Sequence, residues 1–217
     1  DGIRGLKEKT AKLFNIQVQY GENNTPVRYA FQYPNGAVKY RGYHEKRFFW
    51  KGKGQNSLFG PEFNAGSSKR IYITEGEFDA ASLYEVIDGA YPVKSLPSGS
   101  MSETFIKDNH KYLDSFEMVV YAGELSDATG KAAAQKLYNL MPEKFYYVPM
   151  SKWKDANEFL MNGDAEALKW AAFKPQRYSP DNFFVGDLAI KEAIETENPY
   201  EYTPTGHTGL DDKMRGL

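Results

Sequence analysis

Arg70-Ile-Tyr-Ile-Thr-Glu-Gly-Glu-Phe-Asp79 is the stretch whose reading decides the fold. Ile71 and Ile73 lie in a short apolar run that predicts a buried strand. The run stops at Glu75-Gly76, and Asp79 opens a helix-patterned segment from Ala80 to Ile87. A carboxylate beside a glycine at the C-terminal tip of a strand stands where open α/β sheets bind ligands. The same residues also suit a plain strand end followed by a helix with Asp79 as its N-cap. What the other strand ends carry decides between the two.

Downstream, strand-like and helix-like segments alternate. Strands are expected at 92–95, 117–121 and 145–148, and helices at 102–113, 130–141, 155–161 and 164–172. Strands separated by helices of this length imply a parallel sheet with right-handed crossovers, an α/β fold. Upstream, residues 1–15 carry Leu6, Thr10, Leu13 and Phe14 at helical spacing. Strand-like segments follow at 16–20, 27–33, 37–41 and 46–50, with Pro34-Asn35-Gly36 as a hairpin turn. The expected organisation is a small basic α+β subdomain over 1–66, an α/β domain over 67–174, and a tail over 175–217. The Gly- and Ser-rich stretch 52–68 connects the first two, and the tail holds a linker helix at 183–195.

The chain has no cysteine and only three scattered histidines, His44, His110 and His207, so neither a disulfide nor a Cys- or His-built metal site is expected. No run of 18 apolar residues occurs, so no transmembrane helix and no membrane partner is expected, and the N-terminus does not resemble a signal peptide. A cytoplasmic protein fits this composition. Charge is unevenly placed: residues 1–70 hold 13 Lys and Arg against 5 Asp and Glu, and the remainder 14 against 24. A basic front and an acidic back suit an anionic ligand on one side and metal-binding carboxylates on the other. Chance clustering of solvated surface charge is the alternative.

The acidic residues fall at strand ends. Glu75 follows the first parallel strand, Glu124 and Asp127 the third, and Asp155 the fourth. Strand C-termini of such a sheet line one crevice, so these groups converge. Crowded carboxylates repel unless a divalent cation neutralises them, and an oxygen-only set points to Mg²⁺ or Mn²⁺ and to phosphoryl chemistry. In the front part, Lys39, Arg41, Lys46, Arg47, Lys51 and Lys53 are expected on one sheet face. They interleave with Tyr40, Tyr43, Phe48, Phe49 and Trp50, about half of them core, as in a nucleotide or nucleic-acid platform.

Four motifs carry a resemblance: Ile73-Thr-Glu-Gly-Glu-Phe-Asp79, Tyr91-Pro-Val-Lys-Ser-Leu-Pro-Ser-Gly-Ser100, Asp127-Ala-Thr-Gly-Lys-Ala132 and Lys154-Asp-Ala-Asn-Glu158. With Arg4-Gly5, Lys39-Tyr-Arg41, Lys46-Arg-Phe48 and Leu58-Phe-Gly60, they make nearly the whole chain resemble the TOPRIM primase half of the bifunctional primase–helicases of short-tailed phages. The mitochondrial replicative helicase is a relative of that family, and a mitochondrial setting is the minor alternative to an infected host cell. The resemblance implies that Glu75 acts as an acid/base or metal-linked residue, with Asp127 and Asp155 holding the ions beside Glu124. It further implies contacts to ribonucleoside triphosphates or single-stranded DNA from Lys39, Arg41, Lys46, Arg47, Lys51 and Lys131. Gly76, Asp79, Gly99 and Lys154 are implied in support. Thr205-Gly-His-Thr-Gly-Leu-Asp-Asp212 resembles the lead into a RecA-type helicase domain. No Walker A motif is present, so this chain is expected to be a piece of a longer primase–helicase, which meets neighbouring subunits in a ring.

The match breaks at the family's Asp-x-Asp motif, where this chain reads Gly123-Glu-Leu-Ser-Asp127. Aligned on Gly130, Asp127 takes the second Asp and Leu125 the first. Aligned on the preceding strand, Glu124 takes the first and Ser126 the second. Two functions therefore stay open: a Mg²⁺-dependent primase, or a degenerate domain that binds single-stranded DNA and supports the helicase ring. A nuclease or another TOPRIM enzyme is a third. No zinc module for reading the template lies in the chain.

Overall fold

A computed structural model describes residues 3–98 and 101–179. Residues 3–178 belong to one compact unit. Gly99, the expected helix at 183–195 and the segment at 205–217 lie outside the described residues.

The described residues begin with a 3-10 turn, Ile3–Gly5, and the helix α1, Glu8–Leu13, where a short amphipathic helix was expected within 1–15. Arg4 adopts a left-handed backbone (φ 51°) inside that turn, and Leu6 and Lys7 separate it from α1. Four strands then form an antiparallel meander: β1 Ile16–Tyr20, β2 Pro26–Gln32, β3 Val38–Gly42 and β4 Phe48–Lys51. Period-two alternation gives this sheet two unlike faces. Tyr29 pairs with Arg41 and Arg41 with Phe48, while Phe31 pairs with Lys39 and Lys39 with Trp50; these residues share the inner face. Arg28, Ala30, Tyr40, Phe49 and Lys51 occupy the outer one by the same register.

The second sheet runs β6-β5-β7-β8-β9, built from β5 Arg70–Thr74, β6 Val93–Ser95, β7 Met118–Ala122, β8 Phe145–Tyr147 and β9 Gln176–Arg177. The first four are parallel, and β9 joins β8 antiparallel. From sequence, these residues fall in the tail that begins at 175. A polar two-residue strand carries no periodicity by which to be found.

Between the strands lie α2 Glu77–Val86, α3 Glu103–Asp114, α4 Ala128–Leu140, α5 Ala156–Met161 and α6 Ala165–Phe173. Alternation along β5 and β7 sorts the core into two layers. Tyr72 and Val120 pack with α2, α5, α6 and the inner face of the first sheet. Ile71, Ile73, Val119 and Tyr121 pack with α3 and α4. The two sheets meet through rings: Tyr29 and Phe31 stand edge-on to Phe78 of α2, with centroids 4.9 and 5.1 Å away. The fold is thus α/β, a parallel sheet with flanking helices preceded by a basic α+β part that shares its core.

Candidate active site

A cleft of about 780 Å³ opens between the inner face of the first sheet and the C-terminal edge of the second. Its acidic wall is built by chain ends that need carboxylates for local reasons. Asp127 is the N-cap of α4, its Oδ1 accepting from the Gly130 amide at 2.6 Å. Asp155 is the N-cap of α5, accepting from the Glu158 amide at 2.8 Å. Each cap engages one oxygen and holds the side chain at the sheet edge, leaving a second oxygen for other chemistry. Glu75 directly follows β5, and the Tyr121 hydroxyl of β7 donates to its Oε1 at 2.5 Å. Asp79 is not the N-cap of α2, which was one of the two readings open from sequence. Gly76 is, and Asp79 sits within the first turn, accepting at Oδ1 from the Asn157 amide at 3.2 Å.

The electrostatics are those of crowded acids. Burial raises the Glu75 pKa, the Tyr121 hydrogen bond opposes this, and the charges of Asp127 and Glu124 add to it. Burial, together with the Asp155 carboxyl in hydrogen-bonding reach, pushes Asp79 well above the ordinary carboxylate range. Two carboxyls in such contact share a proton unless a cation lies with them. The donors are all oxygen, which fits a hard divalent cation. Among the described residues no three acidic or histidine side chains stand as a ready-made ligand cluster. An ion here would draw the carboxylates together.

Glu124 and Asp127 both line the cleft, while Leu125 packs partly buried against the core under α3 and α4. Ser126 donates to Glu124 Oε1. The acidic positions offered to the cleft are therefore Glu124 and Asp127, three residues apart rather than two.

The opposite wall is basic. Lys39, Arg41 and Lys46 line it with Phe48 and Trp50, and Arg4 closes one end. Lys39 is nonetheless buried and held: its Nζ donates to Glu77 Oε1 and to the Pro97 carbonyl, both at 2.8 Å. Tyr33 donates to the same Glu77 oxygen at 2.6 Å. Burial, and then the neighbouring Arg4, lower the Arg41 pKa. The expectation of one basic face is corrected by the sheet register. Arg47 lines a separate groove on the outer side, and Lys51 shares the outer face with Phe49. Lys131 is exposed on α4 and does not line the cleft.

Gly76 and Lys154 line the cleft, Lys154 paired with Glu158 at 2.9 Å. A Cβ on Gly76 would stand 2.6 Å from Asp79 Oδ2, so any larger residue there would have to displace the Asp79 carboxyl. Three residues given no role from sequence help shape the site. Tyr121 holds Glu75. Glu77 holds Lys39. Asn157, buried, accepts from Arg4 Nε at 2.7 Å and donates to the Arg4 carbonyl and to Ser82, tying the N-terminus to α5. Their signal in the sequence is slight, because a tyrosine in a strand and a glutamate in a helix have ordinary structural uses.

Residues 72–160 match the family described as Toprim-like. The chain is 27% identical to a DNA helicase/primase of Enterobacteria phage T3, over 98% of its own length but only 38% of that protein's. The primase fragment of the bacteriophage T7 primase–helicase superposes with a TM-score of 0.68 at 27% identity, covering 78% of this chain and 72% of that one. Similar too, with TM-score 0.68 and 26% identity over 81% and 90% of the chains, is a structure of T7 lagging-strand DNA polymerase interacting with primase domains of two gp4 subunits bound to an RNA/DNA hybrid and dTTP.

Proposed function

We propose that this chain, which carries a Toprim-like domain and is similar along its length to phage primase–helicases, is the primase part of such a protein. It joins ribonucleotides on a single-stranded DNA template in the cytoplasm of an infected host cell. The parent chain also carries an ATP-dependent helicase, whose subunits assemble with their neighbours. The observation that supports this most is one cleft with carboxylates at the ends of parallel strands on one wall and cationic side chains on the other.

A Mg²⁺ or Mn²⁺ ion held by Glu75, Glu124, Asp127 and Asp155 would supply the Lewis acid that offsets charge on the α-phosphate and its leaving group. The protein's own groups do the rest. Glu75, raised by burial and steadied by Tyr121, is suited to take the proton of the attacking 3′-hydroxyl. Arg41 and Lys46 face it across the cleft and bind phosphate oxygens of the incoming triphosphate or the template. Phe48, 45% exposed at the rim, offers a ring on which a base can stack. Lys39, engaged with Glu77 and Pro97, sets the position of the 96–98 loop.

A second reading, a degenerate domain that holds single-stranded DNA, is favoured by one feature: Asp127 spends an oxygen on its helix cap while Glu124 is bonded to Ser126. Primer synthesis from labelled ribonucleotides on template DNA separates the two. The primase reading expects product with the native chain and at least a hundredfold loss in Glu75→Gln. No product from the native chain, with DNA binding intact, selects the second.

A further inference from the structure

The outer face of the first sheet is unrelated to the cleft, yet it has the build of a nucleic-acid contact. Tyr40 and Phe49 stack with ring centroids 4.6 Å apart and planes inclined by 14°. The Arg28 guanidinium lies over both rings, 4.5 Å from the Tyr40 centroid and 5.1 Å from that of Phe49. Gln19 Oε1 fixes it by accepting from Nε at 2.6 Å, which leaves the terminal nitrogens of the fork as further donors. Beside this stack runs a groove of about 480 Å³, lined by Arg28, Tyr43, His44, Arg47 and Phe49 with one acid, Glu45. Phe49 is 43% exposed and Tyr43 36%.

A hydrophobic core does not need this arrangement, because the sheet buries its other face. Rings with arginine also occur at protein interfaces, but here they border a narrow groove with two arginines against one glutamate, which suits a strand that threads it rather than a broad protein face. Flat rings with cations beside them match a chain whose bases stack and whose phosphates carry charge. A groove of this volume accepts about one nucleotide.

We propose that this outer groove is a second binding site for single-stranded nucleic acid. One unpaired base stacks on Phe49, and the adjoining phosphate meets Arg28 and Arg47. It shares no lining residue with the cleft and would hold a strand outside the reacting centre. The proposal does not rest on the primase reading, since binding is measured whether or not the chain makes primers.

The test uses the 217-residue chain and a labelled 25-nucleotide oligothymidylate, with anisotropy read across a salt titration. Phe49→Ala should weaken binding about tenfold, and Arg47→Ala should lower the salt slope by about 0.7. Phe49→Trp should keep the native affinity, and its added fluorescence should be quenched when the oligonucleotide binds. Should Phe49→Ala unfold, the Phe49→Trp quench and the Arg47→Ala slope still decide. Affinity within twofold of native, an unchanged slope and no quench would overturn the proposal. So would an outcome in which these substitutions disturb only binding of a protein partner.

Discussion

At the scale of single residues, the cleft depends on groups that hold other groups. Lys39 and Glu77 form a nearly dry ion pair at 2.8 Å that also receives the Tyr33 hydroxyl. Removing one partner of such a pair strands the other's charge, whereas removing both is far cheaper. Glu77→Gln should therefore cost about 3 kcal/mol of stability, and Lys39→Met alone a similar amount. The double substitution should fall short of their sum by at least about 1 kcal/mol, as measured by urea unfolding. Additive costs would mean that the pair is not coupled. The sequence pointed to Lys39 as a phosphate ligand because a lysine in a basic strand is ordinarily exposed. Its burial follows from Glu77, the first residue of a helix that only the fold brings opposite. Glu75 and Asp155 were legible, since a carboxylate after a buried strand or before a helix has a placed position in this class of sheet. Tyr121, whose hydroxyl reaches Glu75, was not, because its ring reads equally well as core.

At the scale of elements, two positions resist the usual rules. Gly130 lies in the first turn of α4, where alanine would ordinarily stabilise the helix by about 1 kcal/mol. Here a Cβ would overlap the Glu124 carbonyl oxygen and stand 2.7 Å from Glu75 Oε1. Gly130→Ala should thus reverse the sign, costing about 2 kcal/mol in chemical unfolding and displacing the Glu124–Asp127 loop. The second position is Lys94 on β6, buried with its Nζ donating to the Gly60 carbonyl at 3.0 Å. Burial depresses its pKa from 10.5 to about 8, with Glu62 opposing. The folded state therefore binds fewer protons than the unfolded one between those values, so this group makes stability rise with pH from about 8 to 10.5. Below pH 8 the full cost of the buried charge is present. Relative to Lys94→Met, the native chain should gain about 2 kcal/mol between pH 7 and pH 10 in urea midpoints. A parallel pH course would show the ammonium to be solvated. Strand and helix order was readable from periodicity throughout 16–173. The split of the basic residues between two faces was not, because it needs the β3–β4 register as well as each strand's own alternation. β9 was too short to be seen.

For the whole molecule, the opposed charges of the two halves of the sequence become opposed walls of one cleft, because rings on the inner face of the first sheet bury against α2 and fix the two sheets side by side. Composition showed the imbalance, and chain order showed which half carries which sign. That they face one another required Phe78, Phe31 and Tyr29 to meet. On the proposed function, a single strand in the cleft is held mainly by Arg41 and Lys46, with the carboxylates opposite repelling its phosphates unless a cation intervenes. Each lost phosphate contact lowers the salt slope of single-strand binding by about 0.7. Arg41→Ala combined with Lys46→Ala should therefore weaken binding and reduce that slope by about 1.4. Added Mg²⁺ should strengthen binding by the native chain at fixed ionic strength, and Asp127→Asn with Asp155→Asn should abolish that gain. A slope unchanged by the basic pair would place the strand outside this cleft. A Mg²⁺ effect that survives the acidic substitutions would detach the cation from Asp127 and Asp155.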